Sequence, residues 1–287
     1  MTSAAMNSGD AASDLPPETA VTTRDRVRQG IVLVGALLAV AGAAWGSGAF
    51  GGTAIQDAAD GALSATATPV APDGPAFSIW SVVYLGLVAF AVYQVLPAQG
   101  ANPRLRAVSW WVLASMLLNA AWIGVVQAGW LWASVVVIGA LVAVLAVVLV
   151  RLVRIPASGV VEAAVTDVTT GLYLGWVSVA TLADVAAAPT ASDVGELGLG
   201  ASAWGVVVVA AGAVLSVAYA VFAAPRPVVA ISIGLAMAWG LGWISAGRFG
   251  GPLVDETVAV AAAIAAAVAL VAPFVAWLGR PREVRGH

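Results

Sequence analysis

Residues Gly171–Asp184 read GLYLGWVSVATLAD. They lie inside an apolar run, yet they carry a phenol, an indole and a carboxylate. Tyr173, Trp176, Ala180 and Asp184 are spaced three, four and four residues apart, which on a helix makes one stripe. Polar groups in hydrocarbon cost free energy unless they are partnered or face a cavity. The stripe is therefore expected to point into a helix bundle, on a helix running from about Glu162 to Ala188. It is the first candidate for a ligand-contacting surface.

The rest of the chain agrees with a membrane setting. Mean hydropathy is +0.98 and only 9% of residues are charged, well outside the soluble range. Eight apolar stretches, near 30–49, 77–96, 107–127, 130–150, 166–187, 203–223, 228–246 and 257–278, are each long enough to cross a bilayer. The fold class is all-α, with eight transmembrane helices. Arginines set the orientation. Arg24, Arg26 and Arg28, Arg104 and Arg106, Arg151 and Arg154, Arg226, and Arg280, Arg282 and Arg285 all fall on one side of eight spans. Only Arg248 falls on the other, beside Asp255 and Glu256, where the loops also hold Asp57, Asp60, Asp73, Asp193 and Glu196. Both termini are expected in the cytoplasm, in a multi-pass protein of the cell's inner membrane.

Composition also excludes chemistry. The chain has no cysteine and a single histidine, His287. Thiolate nucleophiles, Ser-His-Asp triads and His/Cys metal sites are ruled out or nearly so. No metal site, required cofactor or nucleic-acid partner is expected. The partners are the lipid bilayer and a hydrophobic small molecule.

Between the spans, residues 1–28 read as a disordered cytoplasmic tail and 280–287 as a basic one. Acidic Asp10, Asp14 and Glu18 argue against a signal peptide. The external loop 50–76 is rich in Ala, Thr, Gly and Pro, which predicts mobility rather than a rigid lid. Asp167 is expected to cap the cytoplasmic start of the fifth span. Small-residue pairs at Gly42 and Gly46, Gly171 and Gly175, and Gly234, Ala238 and Gly242 suit close helix packing within the bundle.

Two further helices carry polar and aromatic clusters. The second has Trp80 with Tyr84 one turn below. The third has Trp111, Ser115, Asn119 and Trp122 on one face. Helical rise puts Trp80, Tyr84, Asn119, Trp122, Trp176 and Asp184 in the outer half of the bilayer, where they share one pocket if their helices are neighbours. Other readings stand beside this one. Interfacial anchoring accounts for Trp130, Trp132, Trp204 and Trp277 and is open for Trp80. Asn119 serves helix–helix hydrogen bonding equally well, and Asp184 equally reads as snorkelling to the external surface.

These clusters resemble the TspO/MBR family, the tryptophan-rich sensory proteins related to the mitochondrial translocator protein. Trp80-x-x-x-Tyr84 after the Pro-rich approach Pro72–Phe77, Asn119-x-x-Trp122, and Tyr173-x-x-Trp176 match the family's second, third and fifth helices. The resemblance covers roughly 30–188. It implies a five-helix bundle over 29–188, commonly dimeric, with a cavity under the first loop for porphyrin, heme or another flat hydrophobic ligand. Trp80 and Asn119 would supply polar contacts; Trp122, Tyr173 and Trp176 would form walls, with Tyr84 and Asp184 completing the site. Three features depart from the family. Asp184 replaces an Asn, the usual first-loop tryptophans are absent, and residues 189–279 add a three-helix region. The resemblance implies a binding and sensory protein. A transporter and a light-dependent porphyrin-degrading enzyme are the alternatives, though no general-base histidine supports ordinary catalysis.

Overall fold

The computed structural model describes residues 20–48, 51–195 and 198–280. Eight long helices run through it: α1 Thr23–Gly46, α2 Ile79–Val95, α3 Pro103–Gln127, α4 Leu131–Arg154, α5 Val160–Ala191, α6 Ala201–Ala223, α7 Pro227–Gly250 and α8 Glu256–Leu278. Each is long and apolar enough to cross a membrane. The eight spans agree with the eight apolar stretches of the sequence.

Local chemistry sets the helix starts. The Thr22 hydroxyl accepts from Asp25 N while the Asp25 carboxylate accepts from Thr22 N, a reciprocal capping box. The helix therefore begins at Thr23, and residues 23–28, read as tail from composition, are its first turns. Residues 1–19 of that tail, and 281–287 of the basic one, lie outside the described residues. Asn102 caps α3 ahead of Pro103 at the first helical position, and Asp255 caps α8 through Val258 N.

The first five helices close a ring in the order α1, α2, α5, α4, α3, each packed on the next and α3 back on α1. The last three form a lobe in which α7 packs on α5, α8 on α7, and α6 on α8. This makes α5 and α7 the two central helices. Their most apolar windows are 61% and 67% buried, whereas Leu38, Val136, Val214 and Ile264 on other helices expose their side chains outward, as lipid-facing residues should.

The α5–α7 contact depends on glycine. A Cβ built at Gly171 would stand 2.7 Å from Ser232 Cβ, and one at Gly175 would stand 2.9 Å from Ala236 Cβ. Small residues let these helices touch backbone to backbone. Gly42, by contrast, has open space around its would-be Cβ. Gly175→Val is expected to cost about 2 kcal/mol through overpacking, while Gly42→Val changes little. Thermal unfolding of the two variants in detergent checks this.

Two features differ from the sequence reading. The 51–76 segment is packed rather than loose: it forms short 3-10 turns at Ile55–Asp57, Ala59–Gly61 and Gly74–Ser78, and Ile55, Ala58, Leu63, Val70 and Ala76 along it are buried. It lies as a roof on α7, to which Arg248 is the main tie. The Arg248 guanidinium, completely buried, donates to the carbonyls of Thr68 (3.1 Å) and Ala65. Trp239 Nε1 donates to Ala76 O at 2.9 Å, and Asp73 N to Trp243 O at 3.4 Å. Helix α7 supplies the fixed partners that loop composition does not reveal.

Asp167, expected as a cap, lies inside α5 at a π-helical turn, Ala163–Val168. Five residues separate it from Glu162, which on a regular α-helix would turn the two carboxylates about 140° apart. The wider turn lets both meet Arg104: Asp167 through its Oδ1, and Glu162 through Oε1 at 3.6 Å from Nη1. Arg104 also donates to Ile155 O at 2.8 Å and Thr166 Oγ1 at 3.3 Å. An ion pair between α3 and α5 replaces the expected cap.

Candidate functional site

Under the roof, an aromatic cluster joins α2 to α5. The rings of Trp80 and Tyr84 are stacked, 5.1 Å between centroids and 18° apart in plane. Trp80 meets Tyr173 edge-on at 6.0 Å and Trp176 at 6.3 Å, and Phe77 meets Trp176 edge-on at 5.8 Å. Such offset and edge-to-face contacts are the favoured aromatic geometries.

Two cavities flank this cluster. The larger, about 290 Å³, is lined by Ala44 of α1 and Ser47 just after it, Trp80 and Tyr84 of α2, Trp122 of α3 and Gln56 of the roof. It sits at the small end of ligand pockets, which run from about 300 to 1,000 Å³. The smaller, about 30 Å³, lies between the roof residues Leu63 and Thr68 and the α5 residues Trp176, Ala180 and Ala183. Phe77 and Trp122 line both. The two chambers therefore meet at these two residues.

The seven residues expected from the sequence divide into two groups. Trp80, Tyr84, Trp122 and Trp176 line a cavity. Asn119, Tyr173 and Asp184 are not among the lining residues and hold the liners in place. Asn119 Nδ2 donates to Tyr84 OH at 3.1 Å. Tyr173 OH donates to Ser115 O at 3.0 Å, tying α5 to α3. Asp184 accepts from Trp122 Nε1 at 3.4 Å and from the Ser134 hydroxyl at 3.0 Å. Fully buried between α3 and α4, Asp184 does not snorkel; it fixes the Trp122 indole from behind. Ser134 could not have been paired with it from the sequence, since the two are fifty residues apart. No cation forms an ion pair with Asp184 among the described residues.

Several polar atoms in this region have no partner among the described residues: Trp176 Nε1, Asn119 Oδ1 and Thr68 Oγ1. Buried polar groups are normally hydrogen-bonded; Trp176 and Thr68 line the smaller cavity, whereas Asn119 lines neither. Phe77 stood in the Pro72–Phe77 approach but carried no site signal of its own. Thr68 carried none at all, because its placement depends on Arg248, which lies 180 residues away. Trp130 and Trp132 expose more than half their surface, in keeping with interfacial anchoring rather than with the pocket.

Compared with known proteins, the chain matches one family model, described as TSPO-like protein, over residues 30–275. No curated protein and no solved structure matches. The matched span runs from α1 into α8, so it includes the three-helix lobe that the shorter resemblance left outside. With eight membrane-spanning helices and a family match over most of its length, this chain is an integral membrane protein that belongs to the TSPO-like family.

Proposed function

We propose that the protein binds a flat, mostly apolar ligand of the porphyrin type in the larger cavity and acts as a membrane sensor or carrier of it. One observation carries this reading: the stacked Trp80–Tyr84 pair forms a wall of that cavity, with Trp122 and Phe77 also lining it. Aromatic faces with few polar groups suit a planar apolar guest. Ser81, on the same wall, is exposed, which puts a mouth on the α2 side, where a ligand dissolved in the bilayer enters sideways. A cavity of about 290 Å³ holds part of a tetrapyrrole, with the remainder in the mouth. No His or Cys ligates a bound metal in this pocket, so a porphyrin is held by its faces and edges. On the same reading we assign the arginine-rich end to the cytoplasm and the cavity to the outer half of the cell's inner membrane. A homodimer of the kind the family resemblance implies is part of the same proposal.

Titration of purified protein with protoporphyrin, read by tryptophan fluorescence quenching, tests it. Trp80→Ala is expected to weaken binding at least tenfold, about 1.4 kcal/mol or more. Unchanged affinity in a folded Trp80→Ala protein would falsify the assignment.

Transport is the second reading, and Asp184, on the helix that flanks the cavities, favours it: a buried intramembrane carboxylate with no ion-paired cation among the described residues. Porphyrin uptake into proteoliposomes that follows a pH gradient and is lost in Asp184→Asn supports transport. Gradient-independent binding leaves the sensor.

A further inference from the structure

The smaller chamber has a chemistry of its own. Trp176 is 1% exposed and Thr68 3%. Both line the void, and the indole N–H and the hydroxyl each lack a hydrogen-bond partner among the described residues. An indole N–H only donates, and a threonine hydroxyl turns to donate as needed. The pair therefore calls for an acceptor. Its other walls are apolar, including Leu63, Phe77, Ala180 and Ala183, and no charged residue lines it among the described residues. An ionised group entering there would lose its hydration with no counter-charge to replace it. A volume of about 30 Å³ suits one small polar group, of the size of a single water.

From this we infer that the chamber is a subsite for a neutral carbonyl group carried by the ligand, reached from the larger cavity past Phe77 and Trp122. The inference rests on the planar-ligand reading and adds specificity to it. Trp176 and Thr68 donate to the carbonyl oxygen. Arg248 is a positioning residue: by holding the carbonyls of Thr68 and Ala65, it keeps the Thr68 side chain beside Trp176. Flat ligands bearing an ester, ketone or amide are then preferred over pure hydrocarbons of the same shape, because without an acceptor both buried donors stay unpaired.

Two neutral porphyrins separate the possibilities: protoporphyrin IX dimethyl ester, which carries carbonyls, and octaethylporphyrin, which carries none. Binding of each to the full-length protein in detergent is measured by fluorescence quenching, and the readout is the ratio of the two affinities. The wild type is expected to favour the ester by about tenfold. Thr68→Val, nearly isosteric but without a hydroxyl, is expected to lower the ratio about threefold, and Thr68→Ser to restore it. Trp176→Phe, which removes the N–H, acts in the same direction. Melting temperature and circular dichroism report that each variant is folded. Equal affinities in the wild type would mean that the chamber holds resident water only, overturning the subsite while leaving planar-ligand binding intact. A ratio unchanged in Thr68→Val would overturn the subsite as well. Binding of neither porphyrin would overturn the planar-ligand reading and the subsite together.

Discussion

Replacing Arg104 with methionine is expected to lower the stability of the bundle by about 3–5 kcal/mol. The side chain is 1% exposed and forms ion pairs with both Asp167 and Glu162. Methionine fills a similar volume, so the cost arises from charge rather than from a cavity. Two buried carboxylates would be left facing each other without their common cation, and Ile155 O and Thr166 Oγ1 would each lose a donor. Glu162 keeps Asn102 Nδ2 at 3.0 Å and the Ser158 hydroxyl, whereas Asp167 keeps no comparable support among the described residues. Most of the penalty should therefore come through Asp167. A second substitution tests that division: Asp167→Leu in the Arg104→Met background is expected to recover part of the loss, because an apolar pair of similar volume avoids the uncompensated charge. Denaturant or thermal unfolding in detergent gives both numbers. A loss under about 1 kcal/mol in the single variant, or no recovery in the double, would show that the cluster is wet and weakly coupled.

The same cluster shows where sequence reasoning stops. Eight spans were legible because a bilayer demands about twenty consecutive apolar residues with satisfied backbones, and that demand is local. The inward stripe of α5 was legible for a similar reason: Tyr173, Trp176 and Asp184 repeat at helical spacing in an apolar setting. What the stripe touches was not. Helix order around the ring is a property of packing, and α5 sits between α2 and α4, with α3 reached across the interior by Tyr173 and Trp122. The pairing of Asp167 with Arg104 escaped because it uses a π turn. A regular 3.6-residue period puts Asp167 and Glu162 on different faces, and the cap was expected only because a carboxylate near a helix start suits the dipole.

The cavity was half legible. Trp80, Tyr84, Trp122 and Trp176 announced themselves as large amphipathic rings at helical spacing, although an interfacial anchor remained an open reading for Trp80. Asn119, Tyr173 and Asp184 lie on the same stripes, yet Asn119 Nδ2, Tyr173 OH and the Asp184 carboxylate meet neighbouring protein groups. A buried polar residue satisfies itself on a neighbour as readily as on a ligand, and spacing alone does not distinguish these outcomes. The roof was least legible. Ala, Gly, Thr and Pro between residues 51 and 76 have few side chains able to hold a loop, and the anchoring is supplied from α7 to backbone carbonyls.

That anchoring leads to the second large expected effect. Arg248→Met should cost about 3 kcal/mol in stability, from loss of charged hydrogen bonds to two roof carbonyls, and should release the roof more than the lobe. No carboxylate lies within ion-pair distance of Arg248 among the described residues; Asp73 and Asp255 attract it from farther away. Its hydrogen bonds are thus all directed at the segment it holds, apart from Asp255 N, which donates to its own carbonyl at 3.0 Å. Amide hydrogen exchange should quicken across residues 61–73 while α6, α7 and α8 stay protected. A bound porphyrin should dissociate at least tenfold faster, since the roof closes over both chambers. Arg248→Lys should fall between wild type and methionine: the ammonium keeps the charge but lacks the planar fork that reaches two carbonyls at once. Uniform loss of protection through α7 and α8 would instead make Arg248 a packing residue of the lobe. Unchanged exchange in 61–73 would mean that Trp239 and the buried Ile55, Leu63 and Val70 hold the roof without it, and that the three-helix lobe grips the roof through apolar contact rather than through this one guanidinium.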